Sequence, residues 1–367
     1  MNTVIACGGT GGHLFPGLAV AEVLRERGHE VLLFISEKEI DTLAVEGRSD
    51  FRFEKLPTVA LPSPFSPAIL AFVRRFNESV SACREIFRKF NPQVVLGMGG
   101  FTSTAPVLAA RMRGIPTFIH ESNAVPGKAN RHTSRFVRAV LLGFAECASF
   151  FPRAQTEFTG TPIRSTLRRL DRRVALEKLG LRAEVPTVLV MGGSQGASGI
   201  NQALIKALPS LQALSLQVVH LSGKRDVRLL EDNYRRENIP AYVAAFHHRM
   251  EEVYSAADFA IARSGAASLA ELAAFALPAL LVPYPYAADD HQTRNAGIFV
   301  KANAALMVRE SELSGELLAK KIRDMQSDPA ALRQMAQNIE AMAPKNAARL
   351  VVETMEKYSQ PHDAVAA

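Results

Sequence analysis

Cysteine is scarce in this 367-residue chain, which contains only Cys7, Cys83 and Cys147. Their number is odd, they lie far apart, and no CxxC pair occurs. These features argue against a disulfide framework and against a cysteine zinc site. We therefore expect all three to be small core residues of a cytosolic protein.

Long apolar runs are also missing. The longest uncharged stretch, Leu272–Ala288, is interrupted by Pro278, Pro283 and Pro285, whereas a membrane-spanning helix needs about 20 apolar residues. The N-terminal segment has neither the basic region nor the cleavage site of a secretory signal. We therefore expect any membrane contact to be peripheral.

The chain has no concentrated block of lysine and arginine, although its net charge is +7, with 43 Lys and Arg against 36 Asp and Glu. A moderate excess of this kind suits a partner that carries phosphates, such as a nucleotide or an anionic membrane surface. Nucleic acid is the least favoured of these partners, because its binding normally needs a clustered basic patch.

What the sequence does contain is a repeated unit of apolar strand, glycine-rich turn and helix. The first unit combines a strand at Asn2–Cys7, a turn at Gly8–His13 and a helix at Pro16–Arg27. Further strands are predicted to begin at Val31, Val94, Thr187 and Gln217. Strands that alternate with helices predict an α/β fold with parallel sheets covered on both faces.

The length predicts two such domains. We place their junction at the turn-forming segment Thr159–Pro162, which gives domains at 1–162 and 163–340 and a C-terminal segment at 341–367 with a frayed tail. In doubly wound folds ligands bind at the carboxyl edge of the sheet. We therefore expect a ligand cleft between the carboxyl edges of the two domains.

Three glycine-rich turns follow predicted strands, at Gly8–His13, Gly97–Ser103 and Gly192–Gly196. Glycines let the backbone approach a ligand closely, and a turn that opens a helix presents free N–H groups to an anion. Any one of these turns could serve packing alone, but three together favour a phosphate-binding cleft. His13 ends the first turn. A histidine with a pKa of about 6.5 suits proton transfer, although a lone histidine is more often structural.

Two motifs in the second half carry polar groups. The segment beginning at Arg263 predicts a helix from Ala266, on which Glu271 could bind ribose hydroxyls, as acidic residues do in nucleotide-binding folds, or could simply be solvated or capping. Asp289, Asp290 and His291 follow a strand. These side chains could bind a metal, but sugar hydroxyls would use the same groups, and we predict no metal site.

Seven motifs in the same order resemble the MurG family of glycosyltransferase family 28, and the resemblance covers nearly the whole chain. They are GGTGGHLFPGLAVAEVL from Gly8, VVLGMGGFTS from Val94, HESNAVPGKAN from His120, GTPIR from Gly160, VMGGSQGASGIN from Val190, RSGAASLAE from Arg263 and HQTRNA from His291. The resemblance implies a GT-B fold, in which two Rossmann-like domains with doubly wound parallel sheets face each other across a cleft. It also implies that the last helix crosses back to the N-terminal domain.

The same resemblance implies an activity. N-acetylglucosamine (GlcNAc) would move from UDP-GlcNAc, with inversion, to the C4 hydroxyl of MurNAc in undecaprenyl-diphospho-MurNAc-pentapeptide (lipid I), forming lipid II for peptidoglycan synthesis. The N-terminal domain would receive the lipid and the C-terminal domain the UDP-GlcNAc. No cofactor is expected. The implied location is peripheral, on the cytoplasmic face of the bacterial inner membrane, with other cell-wall synthesis proteins as further partners and no nucleic acid.

The resemblance also implies roles for individual residues. His13 is the candidate base, Glu121 is the alternative, and Thr10, Gly11 and Gly12 would face the diphosphate and sugar. The other expected UDP-GlcNAc contacts are Asn123, Arg164, Ser194, Gln195, His247, Ala266, Ala267, Ser268, Leu269, Ala270, Glu271, His291 and Gln292. The chain departs from the family pattern in the bulky basic residues of Phe246–Met250 and in a longer loop at Tyr284–Asp290, so the sugar contact is left open between His291 and Gln292.

A lipid acceptor requires a surface that meets the membrane. The run Leu61–Phe76 combines the basic pair Arg74 and Arg75 with the apolar side chains Phe65, Ile69, Leu70, Phe72, Val73 and Phe76. Apolar insertion with basic attraction to anionic lipid is typical of interfacial segments, while a core helix with a solvated basic face is an equal alternative.

Three other functions would use similar sequence features. They are a UDP-GlcNAc 2-epimerase, a GT-B transferase with a soluble acceptor, and a nucleotide-sugar binding protein without activity. The epimerase would need acidic acid/base groups around the sugar, and the soluble-acceptor transferase would lack a basic apolar docking face. An intact His13 argues mildly against the binding protein.

Overall fold

The computed structural model of the chain describes residues 1–37, 45, 48–57, 68–193 and 196–359. The chain divides into two compact units. Unit 1 comprises Met1–Ser165 and Pro344–Ala367, and unit 2 comprises Thr166–Ala343.

Unit 1 contains a seven-stranded sheet whose strands are all parallel. The strands are β1 (Asn2–Ala6), β2 (Glu30–Ser36), β3 (Arg52–Leu56), β4 (Val94–Gly97), β5 (Thr117–Glu121), β6 (Ala139–Leu142) and β7 (Thr156–Phe158). Among the described residues, helices of this unit before β7 are α1 (Gly11–Glu26), α2 (Ala68–Phe90), α3 (Gly100–Arg111) and α4 (Lys128–Thr133). The strand order is β3-β2-β1-β4-β5-β6-β7.

This order changes direction between β1 and β4, which are neighbours in the sheet with Ala6 opposite Gly97. The central strands are continuous apolar runs, such as Val4, Ile5 and Ala6, which are fully buried. Such runs are typical of parallel strands covered on both faces. The turns after β1 and β4 consequently emerge side by side at the carboxyl edge, where doubly wound sheets bind ligands.

Unit 2 has the same type of architecture, with a six-stranded parallel sheet in the order β10-β9-β8-β11-β12-β13. Its strands are β8 (Thr187–Met191), β9 (Gln217–Leu221), β10 (Ala241–Ala244), β11 (Phe259–Ala262), β12 (Ala279–Leu281) and β13 (Ala305–Met307). Its helices are α5 (Arg172–Lys178), α6 (Ser198–Leu211), α7 (Val227–Arg236), α8 (Met250–Ala256), α9 (Ala266–Ala274), α10 (His291–Lys301), α11 (Gly315–Ser327) and α12 (Pro329–Ala341). Two doubly wound parallel α/β domains are thus confirmed.

The last described helix, α13 (Ala347–Ser359), belongs to unit 1. Its buried face, Val351, Val352 and Met355, lies in the same core cluster as α1. On the exposed side, Arg27 donates hydrogen bonds to Glu353 and Glu356 over 2.7 and 2.6 Å. The C-terminal segment therefore completes the core of unit 1 although unit 2 separates them in sequence.

The predicted start of the first helix was wrong. The helix expected to begin at Pro16 begins at Gly11. Thr10 is extended, with φ −155° and ψ 155°, and its carbonyl accepts hydrogen bonds from His13 and Leu14, each over 3.0 Å. A proline has no N–H to donate to the carbonyl four residues earlier, and here it is accommodated inside the helix. Gly11, Gly12 and His13 therefore form the first turn of α1 and not the end of a loop.

All three cysteines are buried, and burial raises the pKa of the Cys83 thiol to about 12.

None of the helices described is long and apolar enough to cross a membrane. The first part of the predicted membrane-facing run, Leu61–Pro67, which includes Phe65, lies outside the described residues.

Candidate active site

His13, in unit 1, has its ring against the glycine pair that follows β4. A Cβ on Gly99 would lie 3.2 Å from the His13 Nε2 atom, and a Cβ on Gly100 would lie 3.2 Å from its Cε1 atom. Both glycines have positive φ angles, 102° and 71°, a region that L side chains rarely adopt. The Nδ1 atom of His13 is 3.3 Å from Thr10 Oγ1. The first and second glycine-rich turns together therefore hold the imidazole.

Arg164 is also near the first turn of α1. Its guanidinium lies over the Phe15 ring, 4.5 Å from the centroid. This is a cation–π contact, in which the ring face attracts the positive charge. A Cβ on Gly11 would lie 3.3 Å from the edge of the same ring. Unit 1 thus brings Arg164 and the start of α1 onto the same Phe15 ring, although they are far apart in sequence.

Glu121, the alternative base, is buried at the end of β5. Its Oε1 atom accepts from the backbone N–H of Asn123 at 3.0 Å and from the Asn123 amide at 3.2 Å, and its Oε2 atom accepts from the Gly127 N–H at 3.0 Å and the Asn130 amide at 2.9 Å. Burial raises the pKa of the carboxyl despite these donors. Each oxygen already has two donors, so the carboxyl group organises the loop after β5.

Asn130 was not singled out by the sequence analysis. Its amide donates to the His120 carbonyl as well as to Glu121, and it would lie 3.5 Å from a Cβ on Gly99. It therefore links the loop after β5 to the glycine pair beneath His13. Only its position at the end of the HESNAVPGKAN motif marked it in the sequence.

His120 is fully buried behind this loop. Burial lowers its pKa to about 4, so the ring is neutral near pH 7. Its Nε2 atom donates to the Gly160 carbonyl at 2.9 Å, because a carbonyl can only accept, and the Ser122 hydroxyl, 3.2 Å from Nδ1, donates in return. The HESN and GTPIR motifs are joined through this ring.

In unit 2, two helices begin at the carboxyl edge beside β8 and β11, and neither has an acidic side chain in its own first turn. They differ in the carboxylates that lie beside them, one of which, Glu310, is paired with Arg263. At α6, the Asp226 carboxylate accepts from Ser198 Oγ at 3.3 Å. A Cβ on Gly199 would lie 2.6 Å from both Glu310 carboxylate oxygens. At α9, the first turn carries no acidic side chain. Helix N-termini attract anions, so α9 offers the better site for a phosphate.

Gln292 and Asn295, on α10, hold the residue that precedes the α9 N-terminus. The Gln292 Oε1 atom accepts from the N–H groups of Ser264 and Tyr284, over 3.3 and 3.0 Å. The Ser264 hydroxyl donates to the Gln292 carbonyl, and the Asn295 amide donates to the Ser264 carbonyl. Since the Gln292 oxygen serves the backbone, the part of its amide suited to a ligand is the NH2 group.

His291 and Glu271 each have a hydrogen bond that orients the side chain. His291 Nδ1 donates to the Ala288 carbonyl over 2.8 Å on the protein surface. The buried Tyr254 hydroxyl donates to Glu271 Oε2 over 2.6 Å. Glu271 therefore has a fixed orientation in the second turn of α9, with Ala266–Ala270 preceding it along the helix.

The His247 side chain is engaged within unit 2. Its Nδ1 atom is 3.0 Å from the Tyr242 hydroxyl and its Nε2 atom is 3.0 Å from Glu252. Burial acts to raise the pKa of Glu252, but hydrogen bonds from Lys178 and His247 outweigh it, and the pKa is lowered. This arrangement leaves the main chain of His247 as the group suited to a ligand. Ser194 and Gln195 lie outside the described residues.

Asp289, Asp290 and His291 were considered as metal ligands. Both aspartates adopt left-handed backbone conformations with φ 51°. Over the described part of the chain, no group of three or more histidine, cysteine or acidic side chains is arranged to hold a metal ion.

These features define a class of protein. Each unit is Rossmann-like and has glycine-rich turns at the carboxyl edge of its sheet. A helix N-terminus suited to phosphate, followed by a carboxylate in its second turn, is typical of nucleotide binding. The molecule therefore has the features of a two-domain α/β protein that binds nucleotides.

The comparison with family models identifies the family. The N-terminal domain model of glycosyltransferase family 28 matches residues 3–142, and the C-terminal domain model matches residues 187–351. This chain belongs to glycosyltransferase family 28.

A relative from Geobacter sp. (strain M21) is 36% identical over 99% of this chain and 98% of its own length. It is named UDP-N-acetylglucosamine–N-acetylmuramyl-(pentapeptide) pyrophosphoryl-undecaprenol N-acetylglucosamine transferase. The crystal structure of Acinetobacter baumannii MurG is similar with a TM-score of 0.77 and 29% identity, over 97% of this chain and 99% of that one. These similarities confirm the GT-B fold class and the glycosyltransferase family.

A putative UDP-N-acetylglucosamine 2-epimerase from Listeria monocytogenes is also similar in structure, with a TM-score of 0.71. The two chains are only 12% identical, over 97% of this chain and 96% of the other. This similarity shows a shared fold alone.

The buried, neutral His120 predicts a pH dependence of stability. An unfolded histidine titrates near pH 6.5, whereas folded His120 has a pKa of about 4. Between these values the unfolded state binds more protons, so the free energy of unfolding falls as the pH falls. We expect a loss of about 2 kcal/mol between pH 7 and pH 5 from this group.

Urea unfolding of the wild type and His120→Gln at both pH values measures this loss. The glutamine amide can still donate to the Gly160 carbonyl but cannot titrate. The wild type should therefore lose about 2 kcal/mol more than the variant, and an equal loss in both proteins would contradict the assignment.

Proposed function

We propose that this protein is an inverting glycosyltransferase that moves GlcNAc from UDP-GlcNAc to the C4 hydroxyl of MurNAc in undecaprenyl-diphospho-MurNAc-pentapeptide (lipid I), forming lipid II for peptidoglycan synthesis. One observation carries the proposal. The relative named for this reaction spans both units from end to end. The geometry around His13 and α9 supports it by supplying the groups that such a reaction needs.

The donor site belongs to unit 2. The α9 N-terminus, from Ala266, receives the diphosphate, because the first N–H groups of a helix have no partner within the helix and this first turn has no acidic side chain. Glu271, oriented by Tyr254, accepts the ribose hydroxyls. The NH2 group of Gln292 donates to the sugar, with His291 beside it. The main chain of His247 forms hydrogen bonds with uracil. Ser194 and Gln195 are the remaining residues expected to contact UDP-GlcNAc.

Unit 1 binds the acceptor and supplies the general base. The acceptor C4 oxygen attacks C1 of the α-linked sugar, the bond from C1 to the UDP phosphate oxygen breaks, and the configuration inverts. His13 takes the proton from the C4 hydroxyl as the general base. Arg164, with Thr10, Gly11 and Gly12, stabilises the charge on the leaving diphosphate.

Glu121 has a supporting role in this mechanism. Both of its oxygens accept two hydrogen bonds, so taking a proton would require breaking that arrangement. It instead fixes the loop that presents Asn123 to the sugar.

The first half of α2 serves as the membrane-facing surface. Its apolar side chains Leu70 and Val73 are 77% and 48% exposed, and Arg74 and Arg75 are exposed beside them. The side chains that α2 buries all lie in its second half, from Ser79 to Phe87. Exposed apolar and basic groups on one half of a helix suit an anionic bilayer surface. The protein would thus act peripherally on the cytoplasmic face of the inner membrane.

Incubation with labelled UDP-GlcNAc and a lipid I analogue tests the reaction. We expect a lipid-linked disaccharide with a β-1,4 bond, together with UDP. Formation of UDP-ManNAc would identify an epimerase, transfer to a soluble sugar alone would identify a different acceptor class, and the absence of turnover would leave a binding protein. Each of these three results would contradict the proposal.

Replacing the base tests the mechanism. His13→Ala should lower kcat by about 10²- to 10⁴-fold, the range typical of general base catalysis, while the UDP dissociation constant should stay unchanged. His132→Ala is the matched control, because His132 is an exposed histidine of the same unit. A loss of only about tenfold would mean that His13 assists without being the base.

Charge reversal on α2 tests the membrane surface. A variant carrying Arg74→Glu and Arg75→Glu should bind anionic liposomes at least about tenfold more weakly, because each basic residue near such a surface contributes about 1 kcal/mol. UDP affinity should not change. The control is the pair Arg84→Glu and Arg88→Glu, an equal charge change in the second half of the helix. Liposome binding by the Arg74/Arg75 variant that matches the wild type would exclude this surface.

A further inference from the structure

A buried chain of polar side chains lies at the carboxyl end of β9, and the mechanism above does not use it. Its centre is His220, which is fully buried. The His220 Nδ1 atom lies 2.9 Å from the Tyr234 hydroxyl, and its Nε2 atom lies 3.0 Å from Asn201 Oδ1. Tyr234 and Asn201 are also buried. Three polar side chains from a strand and two helices thus meet away from water.

The direction of each hydrogen bond among these side chains is fixed by the two acceptors at the end, the Ser222 carbonyl and the Asp226 carboxylate. The Asn201 Nδ2 group donates to the Ser222 carbonyl at 3.0 Å and to the Asp226 carboxylate at 2.7 Å, both of which can only accept. Asn201 Oδ1 must therefore accept, which places the His220 proton on Nε2. Nδ1 is then an acceptor, and the Tyr234 hydroxyl donates to it. Burial keeps the ring neutral by lowering its pKa to about 3.

The Ser222 carbonyl and the Asp226 carboxylate lie at the third glycine-rich turn and at the start of the helix that follows it. A Cβ on Gly196 would lie 2.2 Å from the Ser222 carbonyl oxygen, so that carbonyl lies directly against the turn. Asp226 also accepts from Ser198, the first residue of α6. A Cβ on Gly192 would lie 2.3 Å from the backbone nitrogen of Ala197, so the turn is also closely packed on itself.

We propose that His220 is a positioning residue for UDP-GlcNAc binding. Through Asn201, it holds the Ser222 carbonyl against Gly196 and the Asp226 carboxylate at the start of α6, which keeps Gly196 and Ser198 in place for donor binding. His220 does not touch the substrate. The inference rests on the donor site proposed above for unit 2.

A positioning role predicts a specific change in the kinetic constants. Contacts that the turn makes equally with bound donor and transition state affect KM and leave kcat unchanged. His220→Leu removes both hydrogen bonds and should raise the KM for UDP-GlcNAc and the dissociation constant for UDP by about tenfold or more. The acceptor KM and kcat should remain within about twofold of wild type.

Two further variants separate positioning from general destabilisation. His220→Gln retains an amide N–H near the position of Nε2 and should restore the donor KM to within about threefold of wild type. Gln217→Leu is the matched control, because Gln217 lies fully buried at the other end of β9 and donates to Thr187 and to the Arg182 carbonyl. This control should lower the melting temperature while the donor KM stays within about twofold of wild type.

UDP affinity by titration calorimetry and initial rates with both substrates provide the measurements. If His220→Leu does not fold, Tyr234→Phe replaces it. That variant removes only the hydroxyl that donates to Nδ1 and should raise the donor KM about two- to fivefold.

The inference is overturned if the folded His220→Leu protein, or Tyr234→Phe in its place, binds UDP as the wild type does. It is also overturned if Gln217→Leu weakens UDP binding equally, or if His220→Gln fails to restore it. Failure of the wild type to form the lipid-linked disaccharide would instead refute the proposed function, because the UDP titrations do not depend on the acceptor.

Discussion

The contact between the His13 ring and the backbone of Gly99 and Gly100 constrains much of unit 1. A Cβ atom on either glycine would lie only 3.2 Å from the ring, so the ring would have to shift by a few tenths of an ångström to make room for it. That approach requires β1 and β4 to be neighbours, because each glycine-rich turn emerges from one of these strands. It also requires α1 to begin at Gly11, since a helix beginning at Pro16 would leave His13 in the preceding loop. The strand order and the helix start therefore serve the same local arrangement.

A second constraint is electrostatic and concerns unit 2. Both α6 and α9 begin at the carboxyl edge of the same sheet, and both would attract an anion through their unpaired N–H groups. The carboxylates of Asp226 and Glu310 at the start of α6 oppose that attraction. The contrast gives the two N-termini different tasks. We propose that the start of α6 is positioned by the buried side chains around His220 and that the start of α9 receives the diphosphate.

The sequence predicted the layered architecture well, because alternating apolar strands, glycine-rich turns and helices are local patterns. The strand predicted to begin at Gln217 does begin there. The start of α1 was missed because Pro16 suggested a helix beginning, while the extended Thr10 sets the actual start. The donors to Glu121 and the partners of His220 depend on residues brought together by the fold, such as Asn201 and Tyr234, and no spacing rule identifies such pairs. Exposure along α2 was likewise undecided, because an amphipathic pattern is the same for a core helix and for a surface helix.

The position of α13 has a consequence for how the chain is made. Its side chains Val351, Val352 and Met355 belong to the core cluster that also contains Ile5, Leu18 and other residues of the first half of the chain. During synthesis from the N-terminus, the first 165 residues therefore leave the ribosome without the helix that covers this face of α1. Unit 1 can close its core only after the whole of unit 2 has been translated, and until then a patch of α1 remains exposed to chaperones or to wrong partners.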